Sequence, residues 1–312
     1  MRYSYFPGCG AEGTGRPYEE SLLAVFETLG SGLDVLDDWN CCGATAYPSI
    51  NLDQAAALSS RNLALAEAAH PGPGPVDVVA PCAGCYRALV RTQKTMADGG
   101  KTAKRVRNAL GSLGLSYEGH ARARHPLDLL VNDIGLERIA AAVVRPLRGL
   151  RVACYYGCLL VRPYALFDDS REPTSMERLF RALGAETVDW PLRTRCCGGS
   201  CYCGGALLGA LPEATLELSH ELLKDAKQRG ANVVVTTCPL CQFNLEGFQG
   251  QMARTFGGSH ELTVGFFTQL LGVALGIEPR KLGIQRMLQW ELPDLAQAGP
   301  RAEAKERAGA TA

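Results

Sequence analysis

The chain has 312 residues, with 32 Lys plus Arg and 32 Asp plus Glu, so its formal net charge is zero. This balance gives no electrostatic reason to expect nucleic acid or an anionic membrane as a partner. No apolar run is long enough for a membrane-spanning helix, and the start MRYSYFPGCG lacks the apolar segment of a secretory signal. We therefore expect a cytoplasmic protein with no membrane span and with enough residues for two domains.

Thirteen cysteines are many for such a chain, and four of them stand in adjacent pairs. Disulfide scaffolds are short and secreted, and neighbouring cysteines reach disulfide geometry only with strain. In a reducing compartment, clustered thiols indicate metal binding, an iron–sulfur cluster or redox chemistry instead.

The first part of the chain alternates short apolar runs with periodic helical segments. MRYSYF is a predicted strand, PYEESLLAVFETLG an amphipathic helix that ends at Gly30, and LDVLDDW a second extended run. LDQAAALSSRNLALAEAA is a predicted helix, VDVVA a short buried strand and CYRALVRTQKTMA a third helix. This alternation is typical of β-α-β units around a parallel sheet.

The second part of the chain repeats this order. RVACYY, ETVDW and NVVVTT are predicted strands, while TSMERLFRALG, ATLELSHELLKDAKQRG and CQFNLEGF are predicted helices; His220, in the second of these helices, is predicted to lie on the solvated surface. The predicted fold class is therefore α/β, with two tandem related Rossmann-like parallel-sheet domains from an internal duplication. We assign residues 1–148 to the first half, 149–292 to the second half and 293–312 to a disordered tail, which is polar and alanine-rich.

Both halves carry the same cysteine pattern: one cysteine, then Cys-Cys-Gly, then C-x-x-C. The ten residues are Cys9, Cys41, Cys42, Cys82 and Cys85 in the first half, and Cys158, Cys196, Cys197, Cys238 and Cys241 in the second. Each group comes just after a predicted strand, so the five in each half should meet at the carboxyl edge of a sheet, where open parallel sheets bind ligands. Nearby glycines would let the backbone turn tightly beside a ligand: Gly8, Gly43, Gly157, Gly198 and Gly199.

Four kinds of site suit clustered thiols to different degrees. Structural zinc prefers four tetrahedral ligands in two close pairs, which adjacent cysteines match poorly. The C-x2-C-x2-C-x3-C-P run of a conventional cubane cluster is absent from the sequence. A thioredoxin-like dithiol would explain C-x-x-C but not the paired cysteines. A larger or unusual iron–sulfur cluster accounts for all ten residues.

The pattern resembles the duplicated cysteine-rich CCG domain, and almost the whole chain is similar to the catalytic B subunit of heterodisulfide reductases. This resemblance implies an oxidoreductase that acts on sulfur groups, with two noncubane [4Fe-4S] clusters as cofactors. All ten cysteines of the pattern would be cluster ligands, five to each cluster. The implied substrate is a disulfide or thiol, either a coenzyme heterodisulfide or a sulfur-carrier thiol, and it would react between the two clusters.

Electrons must reach this chain from other proteins of a complex, because it has no G-x-G-x-x-G fingerprint, no P-loop and no fused ferredoxin domain. The resemblance implies two partners, a ferredoxin-like subunit with cubane clusters and a flavoprotein subunit. A second hypothesis is a non-catalytic electron relay in a lactate-, glycolate- or fumarate-type oxidoreductase, and a third is a zinc-stabilised scaffold. The intact set of five cysteines in both halves favours catalysis.

Three cysteines and two arginines near the pattern have simpler interpretations. Cys154 is predicted to point into the core, where a free thiol is a small hydrophobe. Cys201 and Cys203 follow Cys197 closely, and packing is the simpler alternative to a substrate-shaping or redox role. Arg87 and Arg162 follow cysteines of the pattern and would suit an anionic substrate group, although both are expected to be ordinary surface residues.

Overall fold

The computed structural model of this chain describes residues 1–44, 47–72, 74–199, 211–258 and 260–293. The predicted tail, 293–312, lies outside the described residues apart from Pro293. In the described ranges, no helix is both long and apolar enough to cross a bilayer.

The first half forms a four-stranded parallel sheet with the strand order β2-β1-β3-β4. Its strands are β1 (Arg2–Tyr5), β2 (Gly32–Val35), β3 (Val76–Val79) and β4 (Ala121–Arg124). Its helices are α1 (Arg16–Thr28), α2 (Tyr47–Ile50), α3 (Leu52–Ala69), α4 (Ala83–Asp98), α5 (Lys101–Ser112), α6 (Pro126–Asp128) and α7 (Leu136–Ala141). A 3-10 turn, Cys9–Glu12, precedes α1, and a π-helix, Leu129–Gly135, joins α6 to α7.

The second half forms another four-stranded parallel sheet, with the order β6-β5-β7-β8. Its strands are β5 (Arg151–Tyr155), β6 (Glu186–Thr187), β7 (Val233–Thr236) and β8 (Thr263–Phe266). The helices within its described residues are α8 (Ser175–Ala182), α9 (Pro212–Gln228), α10 (Pro239–Gly247), α11 (Gln249–Phe256) and α12 (Phe267–Ala274), followed by 3-10 turns at Pro279–Leu282 and Ile284–Arg286.

The two sheets have the same strand order, and all their strand pairs are parallel. This confirms the predicted α/β fold class and agrees with the predicted duplication. The domain limits 1–148 and 149–292 stay predictions. In each sheet the order reverses between its first and third strands, and ligands of open α/β sheets bind outside the carboxyl ends of the strands at such a reversal.

Valine-rich central strands anchor both sheets in the core. Val233, Val234 and Val235 of β7 are completely buried, and so are Val78 and Val79 of β3. Parallel strands that are covered on both faces carry continuous apolar runs of this kind, rather than an alternating pattern. The short strands are therefore rigid supports for the loops at their carboxyl ends.

The halves exchange contacts across their interface. Helix α1 of the first half packs against α12 of the second, where the hydroxyl oxygens of Ser21 and Thr268 are 2.6 Å apart. In the opposite direction, Phe167 of the second half stacks on His125 of the first, with ring centroids 6.1 Å apart. These crossed contacts bring the loop after β1 close to the end of β8.

Candidate cysteine-rich site

The cysteines of the first half lie in three loops at the carboxyl edge of its sheet. Cys9 begins the 3-10 turn after β1, and Cys41 and Cys42 lie in the loop after β2. Cys82 is the N-cap of α4, and Cys85 lies in the first turn of that helix. The sulfur atoms of Cys42 and Cys85 are 3.1 Å apart, although the residues are separated by 43 positions. The predicted convergence on one edge is therefore present here.

The second half repeats this arrangement. Cys158 follows β5, and Cys196 and Cys197 lie in the loop after β6. Cys238 is the N-cap of α10, and Cys241 lies in its first turn. The sulfur atoms of Cys197 and Cys241 are 3.4 Å apart, which is the same pairing as in the first half.

Backbone groups and neighbouring thiols stabilise the first cysteine of the first Cys-Cys pair. The N–H of Gly43 points at the sulfur of Cys41 over 3.4 Å. Hydrogen bonds from the thiols of Cys42 and Cys9, together with this N–H, lower the pKa of Cys41. Cys41 is therefore the thiol of this half best prepared to lose its proton, and the thiolate is the form that binds metal.

The matching cysteine of the second half has a similar set of donors. The N–H of Gly198 lies 3.2 Å from the sulfur of Cys196. A hydrogen bond from the Cys158 thiol, then the Gly198 N–H and the charge of Arg162, lower the pKa of Cys196 to about 6. Arg162 also donates to the carbonyl of Thr194, so its guanidinium is held beside this loop.

One glycine in each half leaves room for a buried thiol. Gly8 and Gly157 both have positive φ, at 72° and 66°. A Cβ atom at Gly8 would lie 3.0 Å from the sulfur of Cys85, and one at Gly157 would lie 3.2 Å from the sulfur of Cys241. A side chain at either position would strain the backbone and press on a sulfur atom.

The two cysteine groups meet at the interface between the halves. The thiol of Cys238 is hydrogen-bonded to Cys82 and is the main reason why the pKa of Cys82 is lowered. Pro239, which follows Cys238, packs beside Gly10 and Gly15 of the first half: a Cβ atom at these glycines would lie 3.4 and 3.0 Å from its Cγ. The ten cysteines therefore form two adjoining sites.

A pocket at this junction includes residues of both halves. It has a volume of about 280 Å³ and is lined by Ala83 of the first half together with cysteines and loop residues of the second. On the other side, a Cβ atom at Gly84 would lie 3.7 Å from the side chain of Leu159. Each half therefore lends part of its α4 or α10 start to the wall of the other half's site.

The chemistry of the donor set fits an iron–sulfur cofactor in each half. Within the part of the chain that the structure describes, no three Cys, His, Asp or Glu side chains surround a single point suited to one metal ion. The thiols instead touch in pairs, and five of them gather at each sheet edge. Sets made of thiols alone are the usual ligands of iron–sulfur clusters.

The remaining sequence predictions have mixed outcomes. Cys154 is 1% exposed, which confirms its place in the core, whereas Cys201 and Cys203 lie outside the described residues. The prediction that His220 is on the solvated surface is wrong. His220 is buried because the ring of Phe256 covers it, with centroids 4.4 Å apart, and its Nδ1 lies 2.5 Å from Nε2 of His260.

Sequence reasoning missed several supporting residues. Ser59 donates to the carbonyl of Cys42 over 2.6 Å, and Ser219 donates to the carbonyl of Cys197 over 3.2 Å. These serines lie on α3 and α9, at corresponding places in the two halves. An alignment of the repeats would have matched them, because each follows its Cys-Cys-Gly by about the same distance. His125, discussed below, has no counterpart histidine that would have marked it.

A duplicated parallel-sheet fold with a group of thiols at each sheet edge defines a class of cysteine-rich, ligand-binding proteins. The model of the cysteine-rich domain CCG matches residues 3–90 and 152–246. The chain belongs to this family, which confirms the resemblance that the cysteine pattern predicted.

Known proteins similar to this chain cover nearly all of it. It is 30% identical over 284 residues to the 8-methylmenaquinol:fumarate reductase membrane anchor subunit of Wolinella succinogenes, covering 90% of this chain and 95% of that protein. It is 29% identical over 288 residues to a protein of Archaeoglobus profundus that is named as like the B subunit of heterodisulfide reductase, covering 90% and 93%. A crystal structure of a hypothetical protein from Helicobacter pylori matches with a TM-score of 0.69 at 15% identity, covering 92% of this chain and 51% of that one, and shows the fold alone.

Proposed function

We propose that this chain is the iron–sulfur subunit of a heterodisulfide reductase-like complex and that it cleaves or forms a disulfide where its two cysteine sites meet. The observation that carries this proposal is the contact between Cys82 of the first half and Cys238 of the second. Adjoining sites can each bind one sulfur of the same disulfide, whereas sites on separate surfaces cannot. The similarity to the Archaeoglobus protein named as like a heterodisulfide reductase B subunit supports the same function.

The cofactors of this proposal are two noncubane [4Fe-4S] clusters, one held by the five cysteines of each half. Each cluster, when bound, would supply one electron at a time to a disulfide, which is a two-electron couple. The N–H groups of Gly43 and Gly198 would stabilise negative charge on the sulfurs of Cys41 and Cys196. Such hydrogen bonds to ligating sulfur are one of the protein's means of setting a cluster potential.

The surroundings of the thiols favour an approach from the first half. Cys9 and Cys41 are exposed, whereas Cys42, Cys197 and Cys238 are each 3% exposed. The buried members would keep water away from the junction, because low local polarity strengthens the electrostatic interactions of charged sulfur. The exposed members leave an open side through which a disulfide or thiol could enter.

The reaction balances with electrons from other members of the complex. Reduction breaks the S–S bond, consumes two electrons and two protons and releases two thiols, and oxidation of two thiols is the reverse. The electron donor or acceptor is a ferredoxin-like subunit with cubane clusters, linked to a flavoprotein subunit. The substrate is a heterodisulfide or the thiol of a sulfur carrier, and we place the complex in the cytoplasm, where thiols stay reduced.

A non-catalytic relay is the second candidate function. It is favoured by the 30% identity to a protein named as the membrane anchor subunit of a fumarate reductase. As a relay, the chain would pass electrons between its partner proteins and would bind no disulfide at the junction.

Anaerobic reconstitution followed by a turnover assay separates these functions. The loaded protein should contain about eight iron atoms and little zinc, since each four-iron cluster needs its own cysteine set. Reduced methyl viologen should then be oxidised only when the heterodisulfide of coenzymes M and B, or bis(2-hydroxyethyl) disulfide, is added. A relay would give the same iron content but no disulfide-dependent oxidation. Stoichiometric zinc without iron would exclude both functions.

A further inference from the structure

Tyr18 lies at the junction of the two cysteine sites with its ring fixed between the halves. It belongs to α1 of the first half and is 1% exposed. Its ring stacks on Phe266 of the second half, with centroids 4.6 Å apart and planes at 8°, and meets Phe267 edge-on at 5.9 Å. Two aromatic partners leave the ring little freedom, so the direction of its hydroxyl is set by packing.

The hydroxyl of Tyr18 has no hydrogen-bond partner in the described residues. Buried tyrosine hydroxyls are ordinarily paired, because an unpaired one keeps the full cost of losing its water. Burial raises the pKa of Tyr18 well above its ordinary value, so the phenol keeps its proton at neutral pH. Tyr18 is therefore a fixed and uncommitted hydrogen-bond donor.

The position of the helix start places this donor beside both sites. The N–H of Tyr18 donates to the carbonyl of Gly15 over 3.0 Å. Gly15 in turn packs against Pro239, the residue after Cys238. Cys82 and Cys238 are both near enough to the phenol to act on it electrostatically. The uncommitted phenol is thus beside the place where thiols of the two halves touch.

The crossed contact on the other side of the interface offers no such donor among its described residues. There Phe167 of the second half stacks on His125 of the first, with planes at 4°. The Nδ1 atom of His125 accepts from the N–H of Leu127, and its Nε2 lies 3.1 Å from the carbonyl of Pro81. Both imidazole nitrogens are therefore occupied, and the phenylalanine has no hydroxyl. Of these two crossed contacts, the one at Tyr18 can donate to a ligand.

We propose that the Tyr18 hydroxyl donates a hydrogen bond to a sulfur atom bound between Cys82 and Cys238. The acceptor is either a sulfide of a cluster or the sulfur of a substrate thiol, and both are electron-rich sulfur. The proposal rests on the proposed function in one respect, because it needs a sulfur ligand at the junction. Tyr18 is a positioning residue in the first case and touches the substrate in the second.

The variant Tyr18→Phe tests this proposal, because it removes the hydroxyl and keeps the stacked ring. The reconstituted full-length protein is titrated anaerobically, and the reduction potential of each cluster is followed by electron paramagnetic resonance. If the acceptor is a cluster sulfide, one potential falls in the variant before any substrate is added, since a lost hydrogen bond leaves more charge on sulfur. If the acceptor is the substrate, the potentials stay the same and the affinity for bis(2-hydroxyethyl) disulfide falls about tenfold or more.

Tyr117→Phe is the matched control. Tyr117 is also a buried tyrosine of the first half, but its hydroxyl donates to the carbonyl of Ala121 over 3.0 Å, at the opposite end of β4 from the cysteines. This variant should lower the thermal midpoint and change neither the potentials nor the disulfide affinity. Tyr18→Phe with unchanged potentials and an affinity within about twofold of wild type would overturn the proposal, and so would equal changes in both variants.

The same titration separates this proposal from the proposed function. If neither disulfide changes the wild-type spectrum, the disulfide chemistry is wrong, while a lowered potential in Tyr18→Phe still supports the hydrogen bond to a cluster sulfide. If the disulfide changes the wild-type spectrum and Tyr18→Phe behaves like wild type throughout, the proposed function stands and the role of Tyr18 is rejected.

Discussion

The two halves hold the same cysteines on the same strand order but differ in what surrounds them. Cys9 and Cys41 of the first half are exposed, whereas their counterparts Cys158 and Cys196 are half-buried. A cationic side chain, Arg162, contributes to the acidity of Cys196, while the acidity of Cys41 comes mainly from neighbouring thiols. The duplication has therefore preserved what holds sulfur, and it has let the access and charge around each site diverge.

Loss of one ligand from either half should have the largest effect. Cys41→Ala should remove the spectrum of the first cluster and Cys196→Ala that of the second, because water cannot replace a thiolate without changing the cluster's charge and potential. Either change should reduce disulfide turnover to background, since each cluster supplies one of two electrons. Iron analysis and electron paramagnetic resonance of the reconstituted variants measure this.

Cys154→Ala is the control for that pair. Cys154 is 1% exposed and lies on β5, outside the repeated pattern. Its replacement should leave both spectra intact and lower only the thermal stability, because it creates a small cavity. If Cys41→Ala abolished both clusters at once, the two halves would not be independent holders.

Alanine at the paired glycines should have a smaller and half-specific effect. Gly8→Ala should reduce iron in the first site and Gly157→Ala in the second, because the new Cβ atoms would lie 3.0 Å and 3.2 Å from the sulfurs of Cys85 and Cys241. Gly114→Ala is matched in backbone, with φ of 69°, but has nothing within 4 Å of the added Cβ. It should lose only the strain of a left-handed residue, about 1–2 kcal/mol, and keep all its iron. Equal iron loss in all three variants would show that the close sulfur is irrelevant.

The buried imidazole of His125 should make stability depend on pH. Burial lowers the pKa of His125 to about 4, from an ordinary value of 6.5. The unfolded chain then binds the proton more readily than the folded one, so this stability is present above pH 6.5 and is lost as pH falls towards 4. The full loss is about 3 kcal/mol.

Urea unfolding between about pH 4 and pH 7 measures this difference. His125→Asn keeps a side-chain acceptor for the N–H of Leu127 and removes the titrating group. Compared in the same metallation state, the wild type should lose more stability on acidification than the variant does. Parallel pH profiles would show that His125 does not titrate in this window.

The sheets and the convergence of the cysteines could be predicted from the sequence because both depend on local pattern. Valine-rich strands, periodic helices and a repeated cysteine spacing are readable along the chain, and a parallel sheet then gathers the loops at one edge. The position of His220 could not be read this way. Its burial depends on Phe256 from a different helix, so the helix pattern alone suggested an exposed face.

The meeting of the two sites also lay beyond the sequence. The contact of Cys82 with Cys238 and the stacking of Tyr18 on Phe266 join residues from different halves, and no local spacing encodes them. They result from the packing of α1 on α12, which depends on the shapes of two surfaces at once. The resemblance predicted that the clusters face each other, and the packing identifies the residues that line the junction.

The most direct test of shared chemistry is electron paramagnetic resonance of the reconstituted protein with a disulfide labelled with ³³S at both sulfurs. If the two sites act on one disulfide, each cluster binds one sulfur atom. Hyperfine coupling to ³³S should then appear in the signals of both clusters, the one held by the first half and the one held by the second. Coupling in the signal of one cluster alone, with the other unchanged at saturating disulfide, would contradict the shared site and favour the relay.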